Sequence, residues 1–372
     1  MREAVTHVPL LDLKAQYATI RHEIRPVIDE ICDSQRFILG ERVAEFERQV
    51  ASYCGVAHAV GVSSGTDAIL VALTAAGVGP GDEVITSTFT FFATAGCIAR
   101  LGAKPVFVDI DPGTFNLRPE LVEAAVTERT RAVVPVDLFG QLADMERIVA
   151  IADSAGLTMV EDAAQSIGAT RHGKKAGQFG GVCCLSFFPS KNLGGFGDAG
   201  MIVTDDDALA ERCRTLRMHG EDRKYHHKLI GGNFRLDALQ AAVLGVKLRY
   251  LDGWSQVRRD NAARYAKLLA GADVTLPEVA DGSVSIFNQY TIRAGRRRDA
   301  LFEHLQQRNV GCAIYYPLPL HLQECFAYLE GKKGDHPVAE AVADEVLSIP
   351  IYPELTAEQQ QYVASAIRDV CG

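Results

Sequence analysis

The chain predicts an α/β protein: a three-layer αβα domain on a mainly parallel sheet, followed by a smaller α+β C-terminal domain. Three observations predict it. From about residue 41 to about residue 251, apolar strand-like runs alternate with helical periods, as in a parallel sheet wrapped by helices. Several of these runs are apolar without alternation, as strands covered on both faces should be. From about Trp254 the texture changes to a basic helical stretch, then short strands, then helices again. A length of 372 residues suits two domains better than one small core. The expected division is an N-terminal arm (1–30) packing on the small domain, a large domain (31–253) and a small domain (254–372).

Taken in order, a helix over 41–54 places Val43, Phe46, Val50 and Tyr53 on one face. Strands are expected at 58–62, 83–86, 105–109, 132–136, 157–160, 182–187 and 200–204. Gly79-Pro80-Gly81-Asp82 and Asp111-Pro112-Gly113 mark turns between them. In the C-terminal part, 289–292 is a further short strand. There are no internal repeats and no low-complexity segments.

Composition narrows the class. Hydrophobic content of 48% with 23% charged residues is ordinary for a soluble globular protein. A net charge of −9 argues against non-specific binding of nucleic acid. No stretch is long and apolar enough to span a bilayer, so neither a membrane nor a nucleic acid is an expected partner. Residues 1–7 lack an apolar signal region, so a cytoplasmic location is expected. Nine cysteines form an odd set without a CxxC pair. They read as reduced core thiols, neither a disulfide framework nor a metal site.

The chemistry centres on Lys191, in Ser186-Phe187-Phe188-Pro189-Ser190-Lys191-Asn192-Leu193-Gly194-Gly195. A lysine among apolar residues loses hydration of its ammonium form, so its pKa falls and the neutral amine can attack a carbonyl. The alternative is a buried stem with its head in water. Ser63-Ser64-Gly65-Thr66-Asp67-Ala68 leaves a strand and opens a helix, which makes either a phosphate cradle or an ordinary cap. Glu161-Asp162-Ala163-Ala164-Gln165 lies at a strand's carboxyl end, where parallel sheets bind ligands. A carboxylate there could hold a pyridinium proton or cap a helix. The glycines of 194–200 let backbone pass close to a ligand, or simply turn. Phosphate cup, aromatic-rich strand end, acid at a strand end, then lysine: the order tells more than any one signal.

With those segments, the chain resembles the DegT/StrS family of nucleotide-sugar aminotransferases, within the aspartate aminotransferase-like, fold type I, pyridoxal-phosphate enzymes. The resemblance is also carried by Leu11-Asp12-Leu13, Phe37-Ile38-Leu39-Gly40, Gly79 to Ile85, Asn233-Phe234-Arg235-Leu236-Asp237 and Tyr316-Pro317-Leu318-Pro319-Leu320-His321. It implies that Lys191 carries the Schiff base to pyridoxal 5'-phosphate and then acts as the proton-transfer base. Asp162 would pair with the pyridine nitrogen, and Gln165 would bond the phenolic side. Phe91 would stack on the ring, with Phe89 ranked below it. Gly65, Thr66 and Ser186 would hold the phosphate, and Asn233 would reach it from the other subunit of a homodimer with shared active sites. Arg235 would face substrate or pair with Asp237, and Tyr315, Tyr316 and His321 resemble the substrate-facing loop. Tyr315 stands where some uronic-acid-processing relatives carry histidine. His226 and His227 belong to a loop near the substrate mouth or to plain surface. Arg296-Arg297-Arg298 reads as a solvated turn, with a nucleotide diphosphate contact as the alternative.

The resemblance also bears on the reaction. Relatives that dehydrate sugars at C3 carry histidine in place of Lys191, so transamination is expected. Ser186-Phe187-Phe188 and Gly197-Asp198-Ala199-Gly200 look like the C3-aminating group. The implied activity moves the amino group of L-glutamate, through pyridoxamine phosphate, to a TDP- or UDP-linked 3-keto hexose, for polysaccharide or natural-product glycosylation. The alternatives are C4 amination, giving perosamine-like products, and a cofactor-binding regulatory protein without turnover.

Overall fold

A computed structural model describes residues 5–372; positions 1–4 of the expected arm lie outside the described residues. Helix α1 (Leu13–Ser34) starts at Asp12, whose carboxylate accepts from Ala15 N at 2.9 Å. Next come α2 (Glu41–Cys54), β1 (His58–Val62), α3 (Gly65–Ala75), β2 (Glu83–Ser87), α4 (Ala93–Arg100), β3 (Lys104–Val108) and α5 (Pro119–Ala124). They lead into β4 (Thr130–Val134), α6 (Met145–Ala155), β5 (Thr158–Asp162), the short β6 (Thr170–Arg171) and β7 (Lys174–Lys175), β8 (Val182–Ser186), β9 (Gly200–Thr204) and α7 (Asp207–Leu216).

The main sheet has seven strands in the order β1-β9-β8-β5-β4-β2-β3. Strand β9 runs antiparallel to both β1 and β8, while β8, β5, β4, β2 and β3 are parallel. The carboxyl ends of the parallel strands therefore share one edge, where open α/β sheets bind ligands. Strand β8 shows why its run is apolar throughout. Cys183 and Leu185 join a core cluster with Phe46 and Val50 of α2, whereas Val182 and Cys184 join another with Ile69 and Leu73 of α3. Alternate side chains enter opposite layers, and both layers are dry.

The remainder comprises the exposed hairpin β10 (Glu221–Arg223) and β11 (His226–His227), α8 (Ala238–Leu248), α9 (Leu251–Leu268), β12 (Ser283–Val284), β13 (Tyr290–Arg293), α10 (Arg298–Gln307), α11 (Pro337–Glu345), β14 (Val346–Ile349) and α12 (Ala357–Cys371). Strands β13 and β14 pair antiparallel, and Ile292, Leu347 and Ile349 pack with Tyr265 of α9, Leu301 of α10 and Val363 of α12.

Two expectations change. The arm divides: Val8 packs in that C-terminal cluster and its carbonyl accepts from Gly311 N at 2.7 Å, but α1 lies along α8, with Ile20 and Ile24 against Val243 and Val246. An amphipathic helix settles where its apolar stripe finds a partner, and α8 supplies one. Strand β5 also extends past the expected 157–160 to include Glu161 and Asp162, so the pleat sends these two carboxylates to opposite faces. As for the arginine turn, Arg297 pairs with Asp273, while Arg298, largely buried, pairs with Asp299 and donates to Ala343 O at 3.0 Å.

Candidate active site

The lysine is placed by a loop that folds back on itself. After β8, Phe187 N donates to Ala199 O, Lys191 N to Phe188 O and Gly195 N to Phe187 O, each at 2.8 Å. The return is tight: a Cβ on Gly194 would lie 2.2 Å from Pro189 O, so only glycine fits. Lys191 lines a cavity of about 470 Å³. Loss of hydration lowers its pKa to about 8, with the Asp162 charge opposing the shift. Its ammonium makes no hydrogen bond or ion pair among the described residues.

Asp162 ends β5 on the cavity side and is 5% exposed. Its Oδ2 accepts from Thr94 Oγ1 at 2.7 Å and its Oδ1 from Ala164 N at 3.2 Å. Burial pushes the carboxyl up; the Thr94 hydroxyl, the Ala164 amide and the Lys191 charge hold it down. Asp162 caps no helix. A buried carboxylate with no cation in ion-pair contact is suited to a cationic ring nitrogen.

The start of α3 is both cap and cradle. Ser64 Oγ accepts from Asp67 N at 3.0 Å, satisfying one amide of the first turn, while Gly65 and Thr66 line the cavity with first-turn N–H groups that have no helical acceptor. Ser186 lies against them: a Cβ on Gly65 would come within 2.6 Å of Ser186 Cβ, and one on Gly200 within 2.3 Å of Ser64 O. The three segments meet at backbone distance, leaving amides and hydroxyls to face an anion.

Aromatic residues form another wall. Phe91 is 57% exposed and opens onto the cavity, its ring 6.3 Å from that of Tyr316. Phe89 is buried behind it, edge-on to Tyr316 at 6.0 Å. Gln165 accepts from Phe139 N at 2.7 Å and donates to Tyr316 Oη at 3.3 Å, so its amide orientation is set from both ends. Tyr315 also lines the cavity.

Three of the expected residues lie outside this chain's cavity, and for Asn233, expected to serve the other subunit, that is the expected place. His321 is buried outside the cavity lining, with Nδ1 2.7 Å from Thr88 Oγ1 and Nε2 3.1 Å from Glu340 Oε1; both ring nitrogens are engaged, leaving none for a substrate. Asn233 is exposed and outside this chain's cavity; Arg235, half-buried, is outside it too and bridges to Val62 through its backbone. Arg235 makes no ion pair with Asp237 among the described residues, and its Nε is buried without a partner. Sequence reasoning missed Thr94, Gln289 and Asp198. The Thr94–Asp162 bond spans 68 positions and has no local signature, and Gln289 arrives from the C-terminal part of the chain.

The donor set fits pyridoxal phosphate: an amide-and-hydroxyl cradle, a buried acid, an aromatic face and an unpartnered amine share one cavity. Comparisons with known proteins agree. The model of the DegT/DnrJ/EryC1/StrS aminotransferase family matches residues 18–368. A protein of Geobacillus stearothermophilus described as a pleiotropic regulatory protein is 55% identical over 366 residues, 98% of each chain. A UDP-N-acetyl-3-dehydro-α-D-glucosamine 3-aminotransferase of Acidithiobacillus ferrooxidans is 46% identical over 364 residues, again 98% of each. The solved structure of S. venezuelae DesV in complex with a ketimine intermediate matches with a TM-score of 0.96 at 44% identity, covering 98% of both chains. From within α1 almost to the last residue, the chain belongs to the DegT/DnrJ/EryC1/StrS aminotransferases, fold type I enzymes that work with pyridoxal phosphate.

Proposed function

We propose that this chain transfers the amino group of L-glutamate to a TDP- or UDP-linked 3-keto hexose, giving the 3-amino sugar. The observation that carries this reading is the unpartnered Lys191 amine in the cavity beside Asp162, in a chain 46% identical to a 3-aminotransferase. When bound, the cofactor would supply an aldehyde carbon that can take up an amino group and an electron-withdrawing ring that stabilises negative charge next to it. Gly65, Thr66 and Ser186 hold its phosphate, and Phe91 covers one ring face. Asp162 holds the ring nitrogen's proton, and Gln165 orients the phenolic edge. Lys191 Nζ takes and returns the proton at the substrate carbon, a task suited to an amine near pH 8.

The enzyme acts as a homodimer, in which the exposed Asn233 reaches the neighbouring copy's phosphate and Arg235 faces the substrate. Tyr315 and Tyr316, on the cavity wall, contact the sugar. The test is product analysis with TDP- and UDP-linked 3-keto and 4-keto hexoses. Amination at C3 is expected; amination at C4 alone overturns the regiochemistry. A regulatory role is the second reading, favoured by the name of the 55% relative. Turnover of glutamate to 2-oxoglutarate by the purified protein separates the two.

A further inference from the structure

The residue that left the substrate loop has a defined place in the fold. Thr88 follows β2 and is fully buried, and three contacts join it to the segment carrying His321. Leu320 N donates to Thr88 O at 2.7 Å, His321 N to Thr88 Oγ1 at 3.3 Å, and His321 Nδ1 lies 2.7 Å from the same hydroxyl. The Glu340 carboxylate can only accept, so it pairs with the tautomer protonated at Nε2, whose Nδ1 accepts from the Thr88 hydroxyl. The ring proton then sits on Nε2 and faces Glu340 Oε1 at 3.1 Å. Glu340 is anchored in turn by Gly334 N at 2.8 Å and by His336 N at 3.3 Å. Hydroxyl, imidazole and carboxylate thus form a chain across segments 233 and 19 positions apart.

This chain ends where the cofactor wall begins. The residue after Thr88 is Phe89, edge-on to Tyr316, and two further on is Phe91, tilted against the same ring. The loop bearing Tyr315 and Tyr316 runs directly into Leu320 and His321. One imidazole therefore ties both sides of the aromatic wall together. We propose that His321 is a positioning residue: through Thr88 it holds Phe91, which covers the cofactor ring, in place against Tyr316, and it touches neither substrate nor transferred proton. This rests on the reading of the cavity as the cofactor site.

The two nitrogens can be separated by substitution. His321→Asn keeps a polar atom near the position of Nδ1, and His321→Gln keeps one near Nε2. Two readouts apply: pyridoxal phosphate titrated into the apoprotein, and amide hydrogen exchange over residues 88–92. Thr88→Val and His321→Gln should each weaken cofactor binding about tenfold, the scale of one lost buried hydrogen bond, and should speed exchange. His321→Asn should stay within about twofold of the parent chain, and Thr88→Val combined with His321→Gln should be no worse than either alone. The proposal is overturned if both singles bind cofactor and exchange like the parent. It is equally overturned if their effects multiply, or if only the KM for the keto sugar rises. Exchange is read without cofactor, so a failure of the cofactor reading would be seen separately.

Discussion

Lys191 is half-buried in the cavity wall and Lys247 is buried in α8, and desolvation brings each to a pKa of about 8. Each has one opposing carboxylate, Asp162 for the first and Glu354 for the second. Their sequence surroundings are alike too, since Val246-Lys247-Leu248 is as apolar as the stretch around Lys191. What separates them is occupation. Lys247, on α8, donates to Gly194 O at 2.5 Å and lies 5.5 Å from the centre of the Phe196 ring. Lys191 has no such partner and opens onto the cavity. A lowered pKa marks burial; a nucleophile also needs a free lone pair and room for a carbonyl. The two are nonetheless connected, because Lys247 holds the carbonyl of the loop that carries Lys191.

The largest expected effect comes from removing the amine. Lys191→Ala should lower glutamate turnover by at least about 10²–10⁴-fold, the usual weight of a proton-transfer group, and abolish the yellow absorbance of lysine-bound cofactor. Lys247→Met should keep that absorbance; its loss in both variants would erase the distinction. Next comes Asp162→Asn, which takes the charge from the ring nitrogen and should cost roughly 10²–10³-fold in turnover, while Glu161→Gln, one residue away on the opposite face, should leave turnover within about twofold.

A labelling experiment sharpens the lysine contrast. In cofactor-free protein, Lys191 is neutral above about 8 and charged below it. An amine-acylating reagent should modify it with a midpoint there, below the exposed lysines, and should spare Lys247 because its amine is covered. Peptide mapping distinguishes them, and equal labelling of both would remove the role assigned to occupation.

The smallest effect concerns stability. Asp137 and Glu161 are both 0% exposed, and burial, with the neighbouring carboxyl, holds the Asp137 proton well above the usual carboxylate range; burial raises Glu161 too. A group whose native pKa is raised keeps a proton that the unfolded chain releases, so its contribution is full below the ordinary carboxylate range and declines as pH rises toward the native value. Glu161→Gln removes the part of that decline due to Glu161 and to its charge on Asp137, while the part due to the burial of Asp137 stays. Its Tm should fall less than the parent's between pH 5 and pH 8, and parallel curves would show that Glu161 carries no linked proton.

Much of the site was legible because a few segments must have their residue types to work at all. Ser64-Gly65-Thr66 needs a small residue where Ser186 approaches, the acid must end a parallel strand, and Lys191 must follow β8 with glycines behind it. Each requirement is local, so order and spacing carry it. His321 was misplaced for the complementary reason: its neighbours Tyr315 and Tyr316 do line the cavity, and nothing within the segment tells that its ring turns toward Thr88. Arg235 was read as facing substrate or pairing with Asp237, yet it joins no cavity lining in this chain and makes no pair with Asp237 among the described residues.

The amino-acid sequence by itself determined the layered α/β fold, the strands buried on both faces, the cofactor class and the lysine, acid and phosphate cradle that serve it. The fold follows from periodicity and turn chemistry; the cofactor class and the roles of lysine, acid and cradle follow from the family resemblance that their motifs carry. Only the tertiary structure decided that Glu161 and Asp162 part to opposite faces of β5, that Thr94 meets Asp162, that His321 binds Thr88 and Glu340, and that Lys247 is occupied while Lys191 is free. Each is a contact between segments far apart in the chain, set by how the layers pack, and no local pattern of residues encodes it.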